Sequence, residues 1–153
     1  MKKIALLLLT FSLFSCTKEN VVFTETNKDF TKNRWKIDDA KVFQPVLNED
    51  IKDANVYLHF SNIHEPGYTD VPVAVQFLDA DGKEEVFLVE VKLKDEAGKS
   101  LSDCAGDICD IKVPVKEHVA LAKGKYKIAF MHKSDGEYLP NVLAVGLSIE
   151  KAE

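Results

Sequence analysis

Apolar and polar residues alternate with a period of two along most of this chain. Val56, Leu58 and Phe60 alternate with Tyr57 and His59, and Val71, Val73, Val75 and Phe77 with Pro72, Ala74, Gln76 and Leu78. Phe87, Val89, Val91 and Leu93 are set against Leu88, Glu90, Lys92 and Lys94, and Ile111, Val113 and Val115 against Lys112, Pro114 and Lys116. Successive side chains of a strand point to opposite faces, so this pattern predicts strands with one buried face. Residues 126–132 and 142–149 are apolar on both faces for much of their length, which predicts central strands covered on both sides. Turn chemistry separates the runs at Glu65-Pro66-Gly67, Asp79-Ala80-Asp81-Gly82, Glu96-Ala97-Gly98 and Ser134-Asp135-Gly136.

No long run with a 3.6-residue period interrupts these strands. The expected fold is therefore all-β, an antiparallel β-sandwich of jelly-roll or immunoglobulin-like type with about eight strands. Pro72 and Pro114 should mark edge strands, because proline donates no hydrogen bond to a ladder. Leu121, Gly124 and Tyr126 have the spacing of a tyrosine corner, in which the phenol bonds back to upstream backbone. This supports a sandwich over a barrel, with a loop followed by an ordinary strand aromatic as the alternative reading of the same residues.

The first sixteen residues follow a different pattern: Lys2 and Lys3, an apolar run over residues 4–14, then Ser15 and Cys16. A basic start, an apolar stretch too short to span a bilayer and a small residue at the cleavage side describe a secretory signal. Leu13-Phe14-Ser15-Cys16 resembles a bacterial lipobox, which implies that Cys16 becomes the mature N-terminus, carrying a diacylglyceryl thioether and an amide-linked acyl chain such as palmitate. A plain signal peptide with an incidental cysteine is the alternative. The expected organisation is a lipoprotein signal peptide at 1–15, a lipidated tether at 16–20 and one β-sandwich domain at 21–153. Thr17, Lys18, Glu19 and Asn20 span at most ~14 Å when extended, which holds the fold close to the membrane.

The formal net charge is −5 over 153 residues and becomes −7 once Lys2 and Lys3 leave with the signal. An acidic domain beside an anionic bilayer is repelled by it and by nucleic acid alike, which excludes nucleic-acid partners. Cys104 and Cys109 close a short loop around Gly106 and are disulfide candidates in an oxidising envelope, with free buried thiols as the alternative. Asp79-Ala80-Asp81-Gly82 copies the opening of an EF-hand loop without the bidentate glutamate at its far end, and reads as a hairpin turn. Asp103, Asp107 and Asp110 surround the cysteine loop and read as solvated carboxylates, so no metal site is expected.

Catalytic patterns are equally weak. His59, His64, His118 and His132 are scattered, with no HExxH motif and no GxSxG elbow. His59 and His132 fall in strands and read as surface or edge residues, and Glu84, Glu85 and Glu90 as the polar side of a strand. Trp35, Tyr57, Tyr68 and Tyr138 could offer sugars a stacking platform, with a core Trp35 as the competing reading. The chain is expected to be no enzyme, with no catalytic residues and no cofactor.

Taken in order, these features resemble the gliding-motility lipoprotein H (GldH) family of Bacteroidota. They are the lipobox ending in Cys16, Val22-Phe23, Asn33-Arg34-Trp35 followed by Asp38-Asp39 and Phe43, Tyr57-Leu58, Tyr68 before Val71, Gly82 and Gly98. Gly106-Asp107-Ile108, Gly124-Lys125-Tyr126 and the closing Val145-Gly146-Leu147-Ser148-Ile149-Glu150-Lys151 complete them. Ser100, Leu101, Ser102 and the cysteine pair stand where the family tends to carry a glycine-rich, tryptophan-bearing stretch. The resemblance implies a non-enzymatic accessory component of a gliding-motility and protein-secretion complex, anchored in the membrane through its lipid and partnered by other envelope motility or secretion proteins. A surface glycan- or adhesin-type binding lipoprotein is the alternative. The expected location is the outer membrane. Asn20 interrupts the acidic pair of the surface-export signal that Lys18 and Glu19 partly match, which favours a periplasm-facing chain over a cell-surface one.

Replacing Cys16 by Ala should abolish metabolic labelling with a fatty acid and leave an unprocessed or soluble form, because no other residue can take the thioether. Unchanged processing with continued membrane partition in that variant would remove the lipoprotein reading.

Overall fold

Thirteen strands and one 3₁₀ turn make up the fold of this computed structural model, which describes residues 20–152. In chain order they are β1 (Val21–Asn27), the turn (Thr31–Asn33), β2 (Trp35–Lys36), β3 (Lys41–Phe43), β4 (Val46–Leu47), β5 (Ile51–Ile63) and β6 (Asp70–Leu78). There follow β7 (Glu84–Lys92), β8 (Asp103–Ala105), β9 (Ile108–Leu121), β10 (Gly124–Lys125), β11 (Lys127–His132), β12 (Tyr138–Leu139) and β13 (Val142–Lys151). A five-stranded sheet runs β1-β13-β5-β9-β8 and a four-stranded sheet β3-β11-β6-β7, with two small pairs, β10-β4 and β12-β2. Every pairing in these sheets is antiparallel, so the architecture is the all-β sandwich that the alternation predicts.

The core lies between the inner faces of the two large sheets. β5 contributes Val56, Leu58 and Phe60, opposed in register by Ile149, Leu147 and Val145 of β13, and all six are buried. From the other sheet come Val71, Val73, Val75 and Phe77 of β6, with Ile128 and Phe130 of β11. Each such side chain contributes about 1.5–3 kcal/mol on burial, so the period-two pattern supplies most of the drive to fold. β11 and β13 are interior strands, as their two-sided apolar runs suggest, but no third layer covers them among the described residues. Their outward positions are instead filled by small or flexible side chains: Ala129 and Met131 on β11, Ala144, Gly146 and Ser148 on β13.

The β6–β7 hairpin and the turn that follows β7, closed by the Lys94–Ser100 bridge, have the same geometry. In Asp79–Lys83 the Asp79 carboxylate accepts from the N–H groups of Asp81 and Lys83, at 3.0 and 2.8 Å. Asp95 does the same for Ala97 and Lys99, again at 3.0 and 2.8 Å, so a shared Asp-x-x-Gly-Lys segment gives a shared geometry. The EF-hand-like start is thus consumed as a turn. The tyrosine corner is present: the Tyr126 hydroxyl donates to the Ala122 carbonyl at 2.7 Å. Gly124, at φ +143°, allows the neighbouring hairpin to sit against it, for an added Cβ would lie 2.7 Å from Cβ of Ala80.

Two further expectations change. Pro72 lies on β6, an interior strand, where its carbonyl accepts from Lys133 N–H at 2.7 Å just past the last β11 pair, Val73 with His132. The ladder ends there, so the missing donor costs nothing. Pro114 fits its expectation better, because β8 pairs only with residues 108–110 and leaves the remainder of β9 as an edge. His132 is the second correction: it is not a surface residue but has no exposed area, sharing the inner face with Ile128 and Phe130. Because the β11 run is apolar on both sides, sequence alone hides which phase points inward.

The His132 ring packs edge-on to Trp35, with centroids 5.2 Å apart, and neither ring nitrogen meets a partner at hydrogen-bond geometry. Burial lowers its pKa from the usual 6.5, opposed in part by the nearby backbone of Trp35 and Lys36. Above pH 6.5 the histidine is neutral whether folded or unfolded, and its contribution to stability is constant. Below it the unfolded chain takes up a proton that the folded chain holds off, so stability falls with pH until the depressed folded pKa is passed. Denaturant titrations should show His132→Leu removing a slope of at most about 1.4 kcal/mol per pH unit in that window. An identical pH profile in the variant would show that this ring is not held neutral.

Candidate functional site

The sandwich has two ends, and β1 assigns them. Val21 pairs with Glu150, and Lys151 N–H donates to the Asn20 carbonyl at 2.8 Å, so the described chain begins at the end holding residues 50–54. Asp50, Lys52, Asp79, Asp81, Lys83 and Tyr126 share a hollow of about 500 Å³ there, which brings the β6–β7 turn to the same end. At the opposite end Asn62, Tyr68, Leu93, Ser100 and Cys109 line a smaller hollow of about 200 Å³. Cys16 lies outside the described residues, as do the segment expected to be a signal peptide and most of the expected tether.

Cys104 and Cys109 are a cross-strand pair of β8 and β9 at this far end, joined by a disulfide with an S–S distance of 2.05 Å. Cys109 is buried and Cys104 exposed. Asp103 opposes Asp110, whose carboxylate accepts from the Ser61 hydroxyl. Among the described residues no three His, Cys, Asp or Glu side chains gather closely enough to hold a metal ion.

The aromatic candidates are dispersed. Trp35 is wholly buried and donates Nε1–H to the Asp39 carbonyl at 2.7 Å. The Tyr68 hydroxyl donates to the Pro140 carbonyl at 2.9 Å, and burial raises its pKa. Tyr57 carries the Lys112 ammonium 3.9 Å above its ring. Tyr138 is the exposed member, with the Arg34 guanidinium 4.4 Å over its ring. Around this pair Thr31, Lys36, Ile37 and Glu137 line a hollow of about 630 Å³. The segment behind it is held by Lys41, nearly buried, which bonds the Asp29 carbonyl at 2.9 Å, pairs with Asp39 at 2.8 Å and lies 4.2 Å over the Phe30 ring.

The outer face of the five-stranded sheet carries a polar network. His59 Nε2 lies 2.7 Å from Ser148 Oγ, Ser148 donates to Glu150 Oε1 at 3.0 Å, and Lys112 binds both oxygens of Glu150 at 2.7 and 2.8 Å. Because the serine proton goes to the carboxylate, the imidazole must donate to the serine oxygen. A nucleophilic serine needs the reverse, a histidine that accepts its proton. Glu85 of β7 is likewise occupied: Lys116 and Lys83 bind it and hold its pKa down at about 2. His118 pairs with Asp53 at 3.1 Å on the surface.

The outer face of the four-stranded sheet is of a different character. Register sets Val42 beside Ala129, Ala129 beside Gln76 and Gln76 beside Val86, and the next row sets Met131 beside Ala74 and Ala74 beside Leu88. Val42 is 41% exposed, Val86 66% and Leu88 68%. Val86 and Leu88 are neighbours on this face, and Val42 stands apart from them across the buried Ala129 and the polar Gln76. An exposed apolar pair on an open sheet face offers a partner a place to dock. Ala74, Gln76 and Leu88 were legible as strand members, but their placement beside Val42 depends on the register of four strands, β3, β11, β6 and β7.

The family described as GldH lipoprotein matches residues 22–149. No curated protein matches the chain. Among solved structures, dimeric latent PorU from Porphyromonas gingivalis is similar at 9% identity, with a TM-score of 0.32 over 86% of this chain. This chain spans 13% of that one, a likeness too slight to carry fold or function.

Alkylation of the unfolded protein without reductant should label neither Cys104 nor Cys109. Reduction should lower stability by less than the roughly 3 kcal/mol expected for a fifteen-residue ring, because this ring is shorter. Quantitative labelling of both thiols before reduction would show that the bridge does not form.

Proposed function

This chain belongs to the GldH lipoprotein family, and on that premise we propose that it is a non-enzymatic accessory component of a gliding-motility and protein-secretion complex in the cell envelope. In this reading the mature chain begins at Cys16, whose acyl chains anchor it in the outer membrane, and the sandwich faces the periplasm. Multiple acyl chains make such anchoring stable where a single chain makes it marginal. The observation that carries the reading is the exposed apolar pair of Val86 and Leu88 on an open sheet face, which suits a protein partner better than a small molecule. The orientation of the Ser148 hydroxyl towards Glu150 argues against hydrolysis. Glycan or adhesin binding is the second reading, favoured by the exposed Tyr138 and the polar groups around it.

Deletion of the gene should impair gliding, secretion or envelope integrity, and rescue should require both Cys16 and a folded sandwich. Glu90→Gln and Asp107→Asn should each leave rescue nearly intact, as no single carboxylate carries chemistry in this reading. Loss of rescue by either change in a protein that stays folded, lipidated and localised would overturn the scaffold role and direct attention to a catalytic or metal site.

A further inference from the structure

The hollow beside Tyr138 differs from the rest of the charged surface. Elsewhere many cations are tied to carboxylates: Lys41 to Asp39, Lys83 and Lys116 to Glu85, Lys112 to Glu150 and Lys151 to Glu49. Lys32, Arg34 and Lys36, at alternate positions, all line this hollow, and among the described residues none of their side chains meets a carboxylate or a carbonyl. Asp38 and Glu137 line it too and are bound to no cation among the described residues. Charges of both signs are thus left to solvent in one concavity.

The backbone that carries these groups is held on both sides. Trp35, between Arg34 and Lys36, is wholly buried, Lys36 pairs with Tyr138, and Ile37 N–H donates to the Glu137 carbonyl at 3.0 Å. Lys32 and Asn33 both lie at φ +55°, a region that side-chain-bearing residues rarely enter, and Arg34 N–H closes their turn on the Thr31 carbonyl at 3.2 Å. Arg34 is the chain's one arginine. The Tyr138 ring beneath it holds the guanidinium by cation–π attraction and leaves its N–H groups without an acceptor. A planar fork of this kind matches a carboxylate through two parallel hydrogen bonds.

We propose that this hollow binds a uronic-acid sugar: Arg34 takes the carboxylate, Ile37 and Tyr138 meet the apolar face of the sugar ring, and Asp38 and Glu137 accept from its hydroxyls. The inference deepens the glycan reading of this hollow and rests on it. Asp38 and Glu137 distinguish such a sugar from other anions. A phosphate group or an acidic side chain would bring them more negative charge and no hydroxyl, whereas a uronic acid brings a carboxylate for the cations and donors for the acids. The hollow, at about 630 Å³, is of small-molecule size, and an adjoining one of about 330 Å³ shares Thr31, Arg34, Lys36 and Asp38 with it. A further unit of an oligosaccharide has room there.

The test uses the mature lipidated protein in micelles of a polyoxyethylene detergent, with trigalacturonate as probe and its methyl ester as the uncharged control. One arginine gives one Nε–H resonance, so the site reports on itself. Trigalacturonate should shift that resonance and the Tyr138 ring signals saturably, and the ester should bind roughly tenfold more weakly or worse. Arg34→Lys, read at Tyr138, should weaken trigalacturonate binding by a similar factor, because it keeps the charge and loses the fork, while amide exchange of the core strands stays unchanged. Equal binding of acid and ester overturns the proposal and leaves the glycan reading standing. No shift with either sugar up to millimolar concentration overturns both. Undiminished binding by Arg34→Lys also overturns the proposal. So does a larger response to inorganic phosphate, to phosphatidylglycerol added to the micelle or to the acetylated and amidated peptide Asp-Glu-Asp, which would assign the cations to a phosphoryl group or an acidic partner.

Discussion

Three cross-strand pairs in the middle of the five-stranded sheet, Val145 with Phe60, Leu147 with Leu58 and Ile149 with Val56, set the register on which the remainder of the molecule depends. All six side chains are buried, and a slip of one residue would turn each of them to solvent and bring Tyr57, His59, Gly146 and Ser148 into the core. With that register fixed, β1 and β9 take their places on either side, and Gly146, Ser148 and Glu150 are left on the outer surface. The same alternation that builds the core therefore decides which residues remain for function.

A sandwich of this kind spends its apolar inner faces on itself, so any binding must use outer faces, edges or ends. The two outer faces are unlike. On the five-stranded sheet the outward residues are satisfied among themselves, as His59, Ser148, Glu150 and Lys112 are linked in one chain of polar contacts. On the four-stranded sheet Val42, Val86 and Leu88 are exposed beside a row of small and flexible neighbours, with the unpaired edge of β7 at one side. The first face is closed in on itself chemically, and the second is open.

The segment between β1 and β5 plugs one side of the core by a different logic. Its strands are two or three residues long, too short to be stable alone, and they hold because Trp35 inserts among buried residues while Lys41 ties Asp29 and Asp39 together. Phe30 meets the Trp35 ring at 6.2 Å and His132 meets it at 5.2 Å, so one tryptophan joins the plug to β11. Arg34, the neighbour of Trp35, is thereby turned outward over Tyr138. A core residue and a surface pair are consecutive products of one short strand.

The sequence by itself determined the all-β class, the long strands, the hairpin turns and the tyrosine corner, because each rests on local rules: period-two burial, the Asp and Gly demands of tight turns, and a fixed Leu, Gly and Tyr spacing. The residues 22–149 also sufficed to place the chain in its family. Local rules said nothing of phase within β11, so His132 was legible as a strand residue but not as a buried one. Nor could they show that Pro72 sits where a ladder ends, that the aromatics separate, or that β2, β3, β4, β10 and β12 exist, since strands this short carry no period. The apolar face and the open edge of β7 were decided by tertiary structure alone. They arise from the order β3-β11-β6-β7, and strand order is fixed by which distant segments pair, a free energy shared across the whole core rather than written at any one position.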